Sequence, residues 1–232
     1  MPCTVMWGTA LNRLIALCAV LLLLFSVPLP AQAQDSSGYA ICSNQTYALC
    51  ASASAFVYAG VSYAKCIIKR GDSISAPPLT FTTRNGKTAD ICDVNRAGAR
   101  NGYMMSTFSL PLEVRAGGKK ALYTCPGDST GSYAQCDGGT CFKSTSGQYF
   151  PGVGFVARNE IICSCPITAP VQTEAPFSYQ FIGPYPCQPS ALSVCNQDVG
   201  NGTIIPVGSP PGAGRVLTLA LYGHSFPINE CP

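Results

Sequence analysis

The sequence predicts an exported, disulfide-stapled, mostly β domain, sandwich- or meander-like, with long irregular loops. Three observations carry this: an N-terminal export signal, an even set of cysteines downstream of it, and dense turn chemistry with little helical periodicity. The alternative is an α+β domain with one short helix near residues 48–59.

The signal comes first. Arg13 is the sole charge ahead of an apolar run from Leu14 to Val27, which closes on prolines and on Ala31-Gln32-Ala33, a small-residue cleavage pattern. The run falls short of the roughly 20 apolar residues that a spanning helix needs. Cleavage is therefore expected between Ala33 and Gln34, leaving no stable membrane span and a secreted or periplasmic chain. Cys18 lies inside the apolar run after Leu17, in the wrong place for a lipid anchor.

Removal of the signal takes Cys3, Cys18 and Arg13 with it, so the 14 cysteines become 12 and the net charge of +3 becomes +2. Basic residues remain as scattered pairs, Lys69-Arg70 and Lys119-Lys120, and not as a stripe. The electrostatic footprint of a nucleic-acid or anionic-membrane binder is missing.

The mature cysteines are Cys42, Cys50, Cys66, Cys92, Cys125, Cys136, Cys141, Cys163, Cys165, Cys187, Cys195 and Cys231. In an oxidising compartment an even set of this size is a disulfide framework. Metal is disfavoured, because the mature chain has no C-x-x-C knuckle and His224 is its one histidine. No cofactor is expected. Cys163 and Cys165 fall on a strand-like run, where residues two apart share a face, so they should reach different partners. Cys136 and Cys141 flank the turn-forming Asp137-Gly138-Gly139-Thr140 and either close a local loop or pair elsewhere. Twelve cysteines allow on the order of ten thousand connectivities.

Along the chain, "YALCASASAFVYAG" (47–60) suits a helix by its alanines and a strand by its alternation. "LTFTTRNGKTAD" (79–90) predicts a hairpin turning on Asn85-Gly86 in a two-residue turn, and "YMMSTFSL" (103–110) predicts a strand. Residues 166–189 hold six prolines and "GSPPGAG" interrupts at 208–214, so 166–232 reads as a separate subdomain tied down by Cys187, Cys195 and Cys231, after a cysteine-rich β domain over 34–165. "RVLTLALYG" (215–223) alternates like a strand. A weak echo between 48–66 and 121–136, each closing on Ser-Tyr-Ala-x-Cys, is consistent with two related disulfide-closed units.

Several patterns bear on function. "GHSFP" after an apolar run is similar to the elbow that presents a nucleophilic serine, but Pro227 replaces the final glycine, and the acid and base that should come after Ser225 have no room. Asp93 and Asn95 open a calcium-like loop that fails at Ala97 and Met104, so they are expected as turn formers. Arg70-Gly71-Asp72 resembles the integrin-binding tripeptide of adhesive extracellular proteins, which would imply an exposed loop tip. Asn44 and Asn201 begin N-x-T sequons.

The leading expectation is a noncatalytic binding or surface-structural module for a protein or glycan ligand, with Tyr133, Tyr149 and Phe150 as candidate contact residues. Its rivals are an RGD-bearing adhesion protein and a glycosidase-like hydrolase. The hydrolase would draw two carboxyls about 5–10 Å apart from Asp90, Asp93, Asp128, Asp137 and Glu160.

Overall fold

The computed structural model describes residues 40–75, 80–109, 122–143, 145–170, 177–183, 188–224 and 228–230. Among the described residues the chain is mostly β, with three short helices. Its organising element is the long strand β3 (Val61–Ser75), along which β1 (Ala40–Leu49) and β2 (Ser54–Tyr58) run antiparallel one after the other. Ala40 lies opposite Ser75 and Leu49 opposite Ile67; after a turn closed by Ala53 N–H on the Cys50 carbonyl, Ala55 lies opposite Ala64. The ambiguous stretch 48–59 is thus two strands and a turn, with Ala55 and Val57 buried in alternation, and the alternative of a short helix does not hold there.

Three further strands close a circuit. β6 (Met104–Thr107) runs parallel to β1, β9 (Thr140–Phe142) is antiparallel to β6, and β12 (Glu160–Cys165) is antiparallel to both β9 and β3. With β1 paired to β3, the order β1-β6-β9-β12-β3 returns on itself as a small five-stranded barrel. About eight strands enclose just enough space for a filling of side chains, so five leave room for small ones only. Ala48, Ala64, Cys66, Ser106, Cys141 and Cys163, all fully buried, meet that demand.

From β2 the sheet continues outward through β15 (Ile204–Ser209), β14 (Phe177–Phe181) and β7 (Tyr123–Pro126). β8 (Tyr133–Gln135) runs parallel to β15 and antiparallel to β13 (Ile167–Thr168). Here the interior is aromatic: Tyr133 stacks on Tyr179 at 4.8 Å and Tyr123 on Phe181 at 5.1 Å, under a 3-10 helix (Pro189–Asn196) that buries Ala191 and Val194. The proline-rich stretch 166–232 therefore does not stand apart, since it supplies three strands to the common sheet. Its prolines leave room for short strands between them.

Five bridges clamp these elements: Cys42 to Cys92, Cys50 to Cys66, Cys125 to Cys195, Cys136 to Cys165, and Cys141 to Cys163. Cys163 and Cys165 reach different partners, as strand geometry requires. Cys136 and Cys141 pair elsewhere, so the local loop is excluded. The echo fails as a pair of closed units: 48–66 is closed by its own bridge, whereas Cys125 and Cys136 each leave 121–136. Cys187 and Cys231 lie outside the described residues. We expect the exported protein to begin at Gln34 and to take up no alkylating agent under denaturing, nonreducing conditions. Intact mass before and after alkylation checks both points, and uptake of several groups would overturn the framework.

Three local expectations are corrected. The hairpin of β4 (Thr80–Thr82) and β5 (Thr88–Asp90) exists, but its loop is Arg84-Asn85-Gly86, closed by Thr83 N–H on the Lys87 carbonyl. Only Gly86 takes positive φ (74°), as in a three-residue loop with glycine in the left-handed position. Asp93 and Asn95 lie on helix α1 (Ile91–Ala99) and not in a turn, because Asp90 caps that helix by accepting the Asp93 N–H. Residues 215–223 belong to helix α2 (Ala213–Tyr222), whose buried positions Ala213, Gly214, Leu217 and Thr218 follow the helical period. Gly223 ends it with φ 74° and its N–H on the Leu219 carbonyl.

Candidate contact face

The barrel's need for small interior residues pushes its large ones outward. Along β2 and β3, Ala55, Val57, Ser62, Ala64 and Cys66 point in, so Phe56, Tyr58, Tyr63, Lys65 and Ile67 point out. Register carries this outer strip across the sheet: Phe56 lies opposite Tyr63 and Tyr63 opposite Ser164, while Lys65 lies opposite Ile162 and Ile162 opposite Phe142. The pairing of Met104 with Cys141 sets Tyr103 beside Phe142, and the Lys143 ammonium stands 5.8 Å from the Tyr103 ring centroid.

A hairpin of β10 (Tyr149–Phe150) and β11 (Gly154–Phe155) is seated on this face. Gly152, with φ +75°, lies against the Phe56 ring so closely that a Cβ there would fall 2.1 Å from Phe56 Cδ2. Only glycine satisfies both the conformation and the approach. Lys65 Nζ donates to the Phe155 carbonyl at 3.1 Å and stands 3.6 Å from Glu160, whose other carboxylate oxygen accepts the Ala157 N–H at 2.7 Å. The cation and the acid thus hold the hairpin's base and largely neutralise each other. What remains toward solvent is aromatic: Tyr149 is 76% exposed, Tyr58 62%, Phe155 58% and Tyr103 54%, with Phe142 and Ile67 also exposed.

Of the candidate contact residues read from the sequence, Tyr149 is on this face and Phe150, half-buried, adjoins it. Tyr133 is corrected: at 1% exposure it is a core ring stacked on Tyr179 and has no surface to offer. Tyr58, Tyr103, Phe142 and Phe155 were missed. For Tyr58 the signal was the alternation of small and aromatic residues in "SAFVYAGVSYAKC"; Tyr103, Phe142 and Phe155 lie outside that stretch and carry no comparable pattern.

Arg70, Gly71 and Asp72 lie within β3, with Arg70 opposite Thr46, Gly71 opposite Gln45, and Asp72 at the register shift between Cys42 and Gln45. The Asp72 carboxylate accepts the Asn44 N–H at 2.9 Å. The tripeptide is a strand segment beside a bulge, which corrects the expected loop tip. Both sequon asparagines are exposed, and Asn201 accepts the Ala59 N–H. His224 is exposed, with Nδ1 3.0 Å from the Tyr222 carbonyl, and Ser225 lies outside the described residues.

The carboxylates are dispersed. Asp90 caps α1, Asp93 pairs with Arg96 at 2.8 Å in solvent, Asp128 is exposed after β7, and Glu160 serves the hairpin. Asp137 is buried, accepts the Ser75 hydroxyl at 2.9 Å, and lines a small apolar cleft of about 40 Å³ beneath α2 with Ile74, Phe108, Leu122, Val207 and Leu217. Among the described residues no second carboxylate lines that cleft, so the two-carboxyl geometry of a glycosidase is not met in it. No family model matches the chain, and no curated protein or solved structure is similar to it.

Proposed function

We propose that the mature chain is an exported, noncatalytic binding module whose contact surface is the outer face of β2, β3, β12 and β9 with the seated 149–155 hairpin. The observation that carries this is the clustering of exposed rings, Tyr149, Phe155, Tyr58 and Tyr103, on one sheet face where Lys65 is paired with Glu160 and Lys143 stands over the Tyr103 ring. Rigid aromatics supply large contact area at small entropic cost, and their concentration in one place is the usual mark of a recognition patch. Export is supported by the signal pattern and by five buried bridges, and no helix among the described residues is long and apolar enough to cross a membrane. The ligand classes that such a face accommodates are a polysaccharide and a protein surface.

The test is retention of the purified mature protein on insoluble cellulose, chitin, peptidoglycan and immobilised extracellular proteins. On whichever of these retains it, Tyr149→Ala combined with Phe155→Ala is expected to weaken binding by about tenfold or more. The urea midpoint should stay near that of wild type, because both rings stand in solvent. Asp137→Asn should leave binding intact. Turnover of any glycan that is abolished by a single carboxylate substitution would sink the noncatalytic reading.

A further inference from the structure

The core contains a sulfur cluster that the framework alone does not require. Cys50 and Cys66 form one bridge and Cys141 and Cys163 another, yet the sulfurs of Cys50, Cys66 and Cys163 all lie within 4.8 Å of one another. Register explains the approach. Cys163 is directly opposite Cys141 on β9, and across the other seam Cys163 is opposite Ala64 while Ile161 is opposite Cys66. Cys66 and Cys163 are therefore diagonal neighbours on the same inward face, within reach across one strand spacing. Proximity alone is indifferent to which of these sulfurs are joined. Strand register favours the observed pairing, since Cys163 lies directly opposite Cys141 and only diagonal to Cys66.

We propose that these two bridges form a thiol–disulfide exchange site, in which a Cys163 left as a thiol transfers onto the Cys50–Cys66 bridge. The Cys163 thiol gives up its proton and the thiolate attacks a sulfur of that bridge, Cys66 being its diagonal neighbour on β3. The Cys163–Cys66 bond forms as the Cys50–Cys66 bond breaks, and Cys50 departs as a thiolate that takes up a proton. No electron is gained or lost in this step. An external thiol or phosphine reductant is needed only to open Cys141–Cys163 in the native chain, with two electrons passing to that bridge. The product ties β3 to β12 directly and releases the turn at 50–53 from its clamp. Loss of one bridge thus becomes relocation of another, and the barrel keeps a covalent tie across its central seam.

The exchange is tested without any reductant in Cys141→Ser, which leaves Cys163 unpaired. The exported variant is alkylated in acidic denaturant, digested without reduction and mapped by mass spectrometry. The expected result is Cys163 linked to Cys66 or Cys50, with the displaced cysteine of that bridge alkylated. Alkylated Cys163 beside an intact Cys50–Cys66 bridge would overturn the proposal. Cys42→Ser is the control: its released Cys92 has no second bridge so near among the described residues and should be recovered alkylated. If Cys141→Ser does not accumulate folded, wild-type protein is treated with limiting phosphine under native conditions and mapped in the same way. A species with Cys141 alkylated and Cys163 linked to Cys66 or Cys50 supports exchange. Recovery of Cys141 and Cys163 only as an alkylated pair refutes it.

Discussion

Reduction of the disulfides is expected to unfold this protein at room temperature. Each bridge constrains the unfolded chain by typically 2–4 kcal/mol, whereas the whole stability of a domain is about 5–15 kcal/mol. Five bridges together exceed what such a fold has to lose. Near-UV circular dichroism should collapse as a dithiol reductant goes to completion, and ligand retention should vanish with it. Removed singly, the bridges should rank by loop length. The Cys125–Cys195 bridge, which spans 70 residues, is expected to contribute about 4 kcal/mol, and the Cys50–Cys66 bridge, which spans 16, about 3 kcal/mol. A native near-UV spectrum persisting after complete alkylation of reduced protein would mean that packing alone sustains the fold.

The second large effect is expected from Asn95→Ala. The β1/β6 seam of the barrel is thin: only Ala48 with Ser106 and Leu49 with Thr107 are paired across it. Asn95, fully buried on α1, stitches the two strands beyond those pairs. Its Nδ2 donates to Gln45 Oε1 at 2.8 Å and to the Thr46 carbonyl at 2.9 Å, while its Oδ1 accepts the Met105 N–H at 3.0 Å. Truncation leaves three buried polar groups without this partner, at about 1–3 kcal/mol each, so a loss of about 3 kcal/mol or more in urea denaturation is expected. Arg96→Ala, one residue along, removes an exposed ion pair and should cost no more than about 0.5 kcal/mol. A cost below about 1 kcal/mol for Asn95→Ala would show that the seam closes without it.

Much of the local chemistry was legible in the sequence. Asn85-Gly86 announced a hairpin, 103–110 announced a strand, and the two-residue spacing of Cys163 and Cys165 dictated separate partners. Three things were not legible, each for a physical reason. Residues 215–223 alternate in hydropathy but consist of residues that also build helices, and only the glycines at 212 and 223, both at positive φ, decide for α2. Asn95 reads as a turn former until the Asp90 cap turns its segment into a helix and buries it against β1 and β6. The contact face depends on barrel closure: the local alternation puts Phe56 and Tyr58 on one side of their strand but does not say which side is the interior. Tyr133 failed for the converse reason, since the same Ser-Tyr-Ala pattern on β8 sits where the interior is wide and aromatic.

The place of β15 in the sheet sets an order of events for the living chain. β15 is the outward neighbour of β2, with Ile204 opposite Phe56 and Pro206 opposite Ser54, so partners made on the order of 150 residues apart must find each other. Until residue 206 has left the ribosome, the outer edge of β2 has no native match, and the paired strands β7 and β14 cannot be joined to it through β15. The barrel, by contrast, is complete by Cys165. Four of the five bridges close between residues 42 and 165, and only Cys125–Cys195 waits for the later strands.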